Sequence, residues 1–251
     1  MKLKFEIRKG SLTPGGNIPY EYHTQIREHL QKGGIIICPS DTCYSIAAAC
    51  LPNALKIGDY LNSILNRNPQ WPFSVAFDHA MRAKEYIRDP NGVCIKLLEH
   101  FTPGPITAIS IIAREKIYLS EIIHSEKDDT IGIRIPDSCI ESKLAELAGH
   151  PITTVPAKVG EEAPPIRDYE SARDCIIDSI EKHGLSELVP LAGIEGTNGF
   201  TDKLSTVVRV KEELGPNSKL EVLREEYITK VMLKGFLDKH NLNWSITKGN
   251  R

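Results

Sequence analysis

Residues 34–38, Gly-Ile-Ile-Ile-Cys, form an apolar run that stops at Pro39 and passes at once into Ser40, Asp41 and Thr42. A short run of β-branched residues bounded by glycine and proline reads as a buried strand. The switch to three small hydrogen-bonding side chains at its end constrains the fold, because open sheets place ligand-contacting groups at such strand ends. A second junction of this kind is Leu204-Ser-Thr-Val-Val-Arg209, a Ser-Thr pair entering an apolar strand.

Periodicity fills in the rest. Helical spacing predicts helices over 23–31, 54–65, 81–87, 94–100, 140–148, 169–183 and 228–239. Strands are predicted over 1–8, 35–38, 73–77, 106–112, 130–135, 152–155, 188–192, 204–210 and 220–223. Thr102-Pro-Gly-Pro105 is a sharp turn, and the polar stretch 241–251 reads as a frayed tail. Strands and helices alternate irregularly, with two strand-to-strand connections. That pattern predicts one α/β domain with a twisted mixed parallel and antiparallel sheet flanked by helices. The expected organisation is a strand and loop extension over 1–22, the domain over 23–210, and a strand-helix extension and tail over 211–251.

Composition excludes several classes. No apolar stretch approaches the ~18 residues of a membrane-spanning helix. The opening Met-Lys-Leu-Lys-Phe-Glu-Ile-Arg alternates charge and apolar side chains, as a strand does and a signal peptide does not. A cytoplasmic protein with no membrane partner is expected. The six cysteines lack Cys-x-x-Cys spacing and read as reduced core thiols, so no metal site is expected. A net charge of −2 gives no support for nucleic-acid binding over the whole surface, though a local basic cleft is compatible with it. There is no phosphate-loop motif, no His-Glu-x-x-His and no Gly-x-Ser-x-Gly elbow. Gly193-Ile-Glu-Gly196-Thr-Asn-Gly199 has the wrong spacing for a dinucleotide fingerprint and reads as a solvated loop.

Six blocks in order resemble the YrdC/YciO family over roughly 31–210. They are Gly34-Ile-Ile-Ile-Cys-Pro-Ser-Asp-Thr-Cys-Tyr44; Arg67 with Pro72-Phe-Ser-Val75; Phe101-Thr-Pro-Gly-Pro-Ile-Thr107; Thr130-Ile-Gly-Ile-Arg-Ile-Pro136; Pro151-Ile-Thr-Thr; and Leu204-Ser-Thr-Val-Val208. The resemblance implies an electropositive concave surface and threonylcarbamoyl-AMP synthesis from L-threonine, bicarbonate and ATP, with release of pyrophosphate. It implies Ser40, Thr42, Arg134 and Ser205 on threonine, the arginine clamping the carboxylate. It implies Arg67, Thr130, Lys158 and Arg224 on the nucleotide, where phosphoryl displacement needs cations and rigid positioning more than a protein nucleophile. No catalytic residue is assigned. ATP is the expected substrate, with Mg, and no tightly bound cofactor is expected. Expected partners extend to tRNA or double-stranded RNA and to tRNA-modification proteins.

The departures cluster on the phosphate side. The lysine of the family's Lys-x-Arg is Leu65 here, its Ser-Ala-Asn turn is Pro156-Ala157-Lys158, and its glycine after the tyrosine is Ser45. Two readings stay open. Either Lys158 supplies the missing cation and the synthase reaction survives, or the chain is a catalytically weak YciO-like relative that binds nucleotide or double-stranded RNA.

Overall fold

The computed structural model describes residues 1–125, 129–196, 200, 205–212 and 218–249. Its strands are β1 (Glu6–Ile7), β2 (Ile35–Pro39), β3 (Tyr44–Ala49), β4 (Ser74–Ala76), β5 (Ile87–Arg88), β6 (Ile106–Ile112), β7 (Thr130–Arg134), β8 (Ile152–Pro156), β9 (Leu191–Ile194), β10 (Thr206–Lys211), β11 (Lys219–Arg224) and β12 (Ser245–Lys248). The α-helices are α1 (His23–Gln31), α2 (Ile57–Leu65), α3 (Ala80–Ala83), α4 (Val93–Phe101), α5 (Leu119–Ile123), α6 (Cys139–Ala148), α7 (Tyr169–Lys182) and α8 (Lys230–Lys239). All the strands join one mixed sheet in the order β1-β9-β2-β3-β8-β4-β7-β6-β10-β11-β12, with β5 paired to β6 off that path. The mixed, helix-flanked sheet is the architecture that the alternation of elements predicts.

Both predicted extensions add strands to this sheet. β1 pairs parallel with β9 at one edge, and β12 pairs parallel with β11 at the other. The stretch read as a frayed tail therefore contains a strand. Its Ile246 and Thr247 suit a pleated surface, and Trp244 and Ile246 pack against the core. α8 is held by rings: Phe236 and His240 lie against His100 at the end of α4, with centroids 5.5 and 6.0 Å from the imidazole.

Periodicity missed β3. Tyr-Ser-Ile-Ala-Ala-Ala is poor in β-branched residues, so local propensity is weak. The strand forms because it is fully buried between β2 and β8, where small side chains let helices approach closely. The predicted helix over 81–87 divides into α3, a 3-10 turn at Lys84–Tyr86 and strand β5. The predicted strand 188–192 shifts to Leu191–Ile194, so Gly193 lies in a strand, not in a solvated loop. A side chain there would strike the Tyr169 ring, since a Cβ would stand 1.9 Å from its hydroxyl. The rest of that glycine-rich stretch, 197–199, and the start of the predicted strand at Leu204 lie outside the described residues.

Two cores flank the sheet. α1 and α6 cover one face over β2, β3, β8 and β4, through Ile26, Leu30, Ile140, Leu144 and Ala148. Helices α2, α4, α5, α7 and α8 cover the other face. Beyond β4 the first face is left open. On β7, Ile131 and Ile133 are fully buried while Thr130, Gly132 and Arg134 alternate onto the open side. The same alternation puts Ile111, 46% exposed, and Arg209 on that side of β6 and β10.

Candidate substrate site at the end of β2

The turn after β2 is organised by its own hydroxyls. Ser40 is buried, and its Oγ donates to the Cys43 carbonyl at 2.8 Å and accepts from Ser45 Oγ at 3.2 Å. Ser45, which stands where the family has glycine, thus braces this turn. Thr42 Oγ1 lies 3.7 Å from Cys43 Sγ. Asp41 projects from the same turn toward Arg134, with 3.9 Å between Oδ1 and Nη1.

Arg134 ends β7, beside Ala76 of β4, which pairs in turn with Ile152 of β8. Its guanidinium is committed within the chain. Nη2 donates to the carboxylate of Glu141 and, at 2.6 Å, to Thr154 Oγ1, while Thr154 donates to Glu141 Oε1 at 2.6 Å. Glu141 is completely buried. Burial disfavours the charge on Arg134, but the carboxylates of Glu141 and Asp41 outweigh it and hold its pKa above the ordinary value. Burial pushes Glu141 up, and Arg134 only partly offsets that. Sequence reasoning missed Glu141. Its one signal, Ser138-x-x-Glu141 at the start of α6, reads as a helix capping box.

Two of the four positions expected on the nucleotide, Arg67 and Lys158, meet at the end of β8 with the departures Leu65 and Pro156. Leu65, Arg67, Trp71, Pro156, Lys158 and Glu161 line one cavity of about 130 Å³. Arg67 stacks 4.3 Å from the Phe73 ring centroid and donates to the carbonyls of Trp71 and Pro72 and to Asn62 Oδ1. Its burial lowers its pKa. Lys158 Nζ donates to the carbonyls of Glu161 and Ala163. Leu65 is buried in the core at the end of α2 and offers no polar atom.

β8 links the two groups. Pro156 is the cross-strand partner of Ser45, which bonds Ser40, and Thr154 on the same strand face bonds Arg134 and Glu141. Ser40, Thr42 and Arg134 are thereby tied through β8 to Pro156, which lines the cavity of Arg67 and Lys158. The other three predicted positions stand apart. Thr130 lies four residues, about 13 Å, from Arg134 along β7. It lines a larger cavity of about 470 Å³ with Arg88, Arg209, Lys211 and Glu212. Ser205 precedes β10, two strand spacings or about 10 Å from β7, and its carbonyl accepts from Arg224 Nε at 2.8 Å. Among the described residues no cluster of His, Cys, Asp and Glu is placed to hold a metal ion, and no helix is long and apolar enough to cross a membrane.

The fold and this strand-end cluster define a helix-flanked, mixed-sheet α/β protein with one open sheet face. A family model, Sua5/YciO/YrdC, described as "Telomere recombination", matches residues 28–225, and the chain belongs to that family. It is 29% identical over 189 residues to a putative threonylcarbamoyl-AMP synthase of Methanocaldococcus jannaschii, covering 75% of this chain and 80% of that one. It is 26% identical over 139 residues to the human threonylcarbamoyl-AMP synthase, covering 53% of this chain and 45% of that protein. Among solved structures it resembles E. coli YciO, with TM-score 0.63, 22% identity, and 89% of this chain and 96% of that one covered. It also resembles P. abyssi Sua5 complexed with L-threonine, with TM-score 0.62 and 16% identity, over 86% of this chain. The chain spans 56% of the length of that Sua5.

Proposed function

We propose that this chain is a threonylcarbamoyl-AMP synthase-like nucleotidyltransferase that serves threonylcarbamoyladenosine modification of tRNA. The amine of L-threonine and bicarbonate condense to a carbamate with loss of water, a carbamate oxygen attacks the α-phosphorus of ATP, and pyrophosphate leaves. Mg²⁺ belongs to the nucleotide substrate. The observation that carries this reading is that one strand, β8, carries both Thr154, which bonds Arg134, and Pro156, which lines the cavity of Arg67 and Lys158. An amino acid held at the first group and a triphosphate held at the second would meet over Thr154 and Pro156, and such proximity is the main resource of a phosphoryl-type displacement. In this reading Ser205, Arg224 and Thr130 contact the ligands from the far side of the open face.

A second reading is a catalytically weak relative that binds nucleotide or double-stranded RNA. The observation favouring it is that Lys158 and Arg67 already donate to their own backbone, while Leu65 and Pro156 add no donor. Pyrophosphate release from ATP separates the two. The synthase reading expects release only when threonine and bicarbonate are both present, and a steep loss in Lys158→Ala. Nucleotide or RNA binding without that release selects the second reading. For RNA, binding should weaken steeply as salt rises.

A further inference from the structure

Arg134 presents two carboxylate-sized edges, one formed by Nε and Nη2 and the other by Nη1 and Nη2. Nη2 belongs to both edges, and here it donates to Glu141 Oε1 and Thr154 Oγ1. Nε is buried without a hydrogen-bond partner, and Nη1 faces Asp41 at 3.9 Å. A ligand carboxylate arriving at this guanidinium finds both two-point edges taken. It also meets a cluster of one cation, Arg134, and two carboxylates, Asp41 and Glu141.

Glu141 is not spent on its helix. Ser138 Oγ accepts from the Glu141 backbone N–H at 3.3 Å, which is the first half of a capping box. The second half would turn the glutamate back toward the Ser138 N–H, yet Oε2 of Glu141 is buried with no hydrogen-bond partner. A carboxylate placed in a protein interior is costly, and one left half-satisfied more so. The chain bears that cost at the arginine that the proposed site assigns to the substrate carboxylate.

We infer that Glu141 is an internal competitor that sets the ligand class of this half-site. Its carboxylate holds the Arg134 edge a substrate carboxylate would use, so the site disfavours a free carboxylate relative to a neutral carbonyl at the same place. The inference rests on the assignment of Arg134 to the amino-acid half of the proposed site. Glu141 acts through Arg134, and its signature is selectivity between ligands rather than a general loss of binding. Threonine can bind in two-point fashion only as Glu141 withdraws, and the burial that already raises the Glu141 pKa favours its leaving as the neutral acid.

Calorimetric titration of L-threonine and of the neutral L-threoninamide against wild type and Glu141→Gln tests this. The glutamine keeps the shape and an acceptor for Thr154 but removes the competing charge. Threonine affinity should rise at least about tenfold, the worth of one charge-assisted hydrogen bond, while threoninamide affinity stays level. A merely structural role would move both ligands together. Threonine affinity that is unchanged or lower in Glu141→Gln overturns the inference. Should that variant fail to fold, Glu141→Asp draws the carboxylate back from Nη2. A rise in the threonine-to-threoninamide affinity ratio then supports the inference, and a flat ratio rejects it. ATP titrated into the same proteins separates the two levels. ATP binding with no gain for threonine rejects the role of Glu141 alone. Absence of both ATP and threonine binding from every protein rejects the proposed function as well.

Discussion

Arg134 and Lys158 both donate to acceptors of their own chain, but to acceptors of different kinds. Arg134 faces a completely buried carboxylate, whereas Lys158 holds the carbonyls of Glu161 and Ala163 in a surface loop. Where water is excluded, a cation must be matched by charge, and removing one partner strands the other. Near the surface, backbone dipoles suffice, and water replaces them readily. The Arg134 half of the candidate site is therefore part of what holds the protein together, and Lys158 is an adjustable rim of the other half.

The largest test of this contrast is Arg134→Ala. It leaves Glu141 buried without its cation and should cost roughly 3–5 kcal/mol of stability, read from urea denaturation. Arg134→Ala with Glu141→Ala should recover a large part of that loss. Additive losses would show that the two side chains do not form a pair. Thr154→Val comes next. It removes the hydroxyl shared by Arg134 and Glu141 while keeping volume, and about 1–3 kcal/mol should be lost. A loss as small as that of a surface substitution would mean the triad is looser than its geometry. Lys158→Ala should cost only about 1 kcal/mol or less, because the freed carbonyls turn to water. A larger loss would erase the difference between the halves.

The smallest effect concerns the far end of the open face. Burial and the neighbouring Asp89 raise Glu212 to about 7, against backbone N–H groups of Asn91 and Val93 that act in the opposite sense. The folded state then binds this proton more tightly than the unfolded chain. Stability from this group is present below its ordinary range and is lost as pH rises from about 4.5 toward about 7. Glu212→Gln should flatten that decline, measured by denaturant midpoints across the window. An unchanged slope would show that the group titrates normally.

Much of the fold is legible in the residues. Helix α1 and strand β6 follow from periodicity and their flanking glycines and prolines, and β7 shows its alternation of Ile131 and Ile133 with Thr130, Gly132 and Arg134. Elements whose local signal is weak were not legible. β3 is built from alanines that prefer a strand only when sandwiched between β2 and β8, and β12 is polar and needs β11 as its template. The candidate site shows the same division. Ser40 and Thr42 are singled out by their place at a strand end, whereas Arg134, Arg67 and Lys158 are singled out through the family resemblance of the blocks that hold them.

What the sequence determined by itself is the supply of parts: apolar periods that specify a helix-flanked mixed sheet, and the hydroxyls and cations placed at its strand ends. Only the tertiary structure decided how those parts are spent. Glu141 lies seven residues beyond Arg134, at a position that local rules assign to a helix cap, and Thr154 lies on a strand that reaches Arg134 only across β4. A short-range pattern records which groups a segment offers. Which of them meet in a dry interior, where an ion pair fixes both partners, depends on long-range strand order that no local window contains.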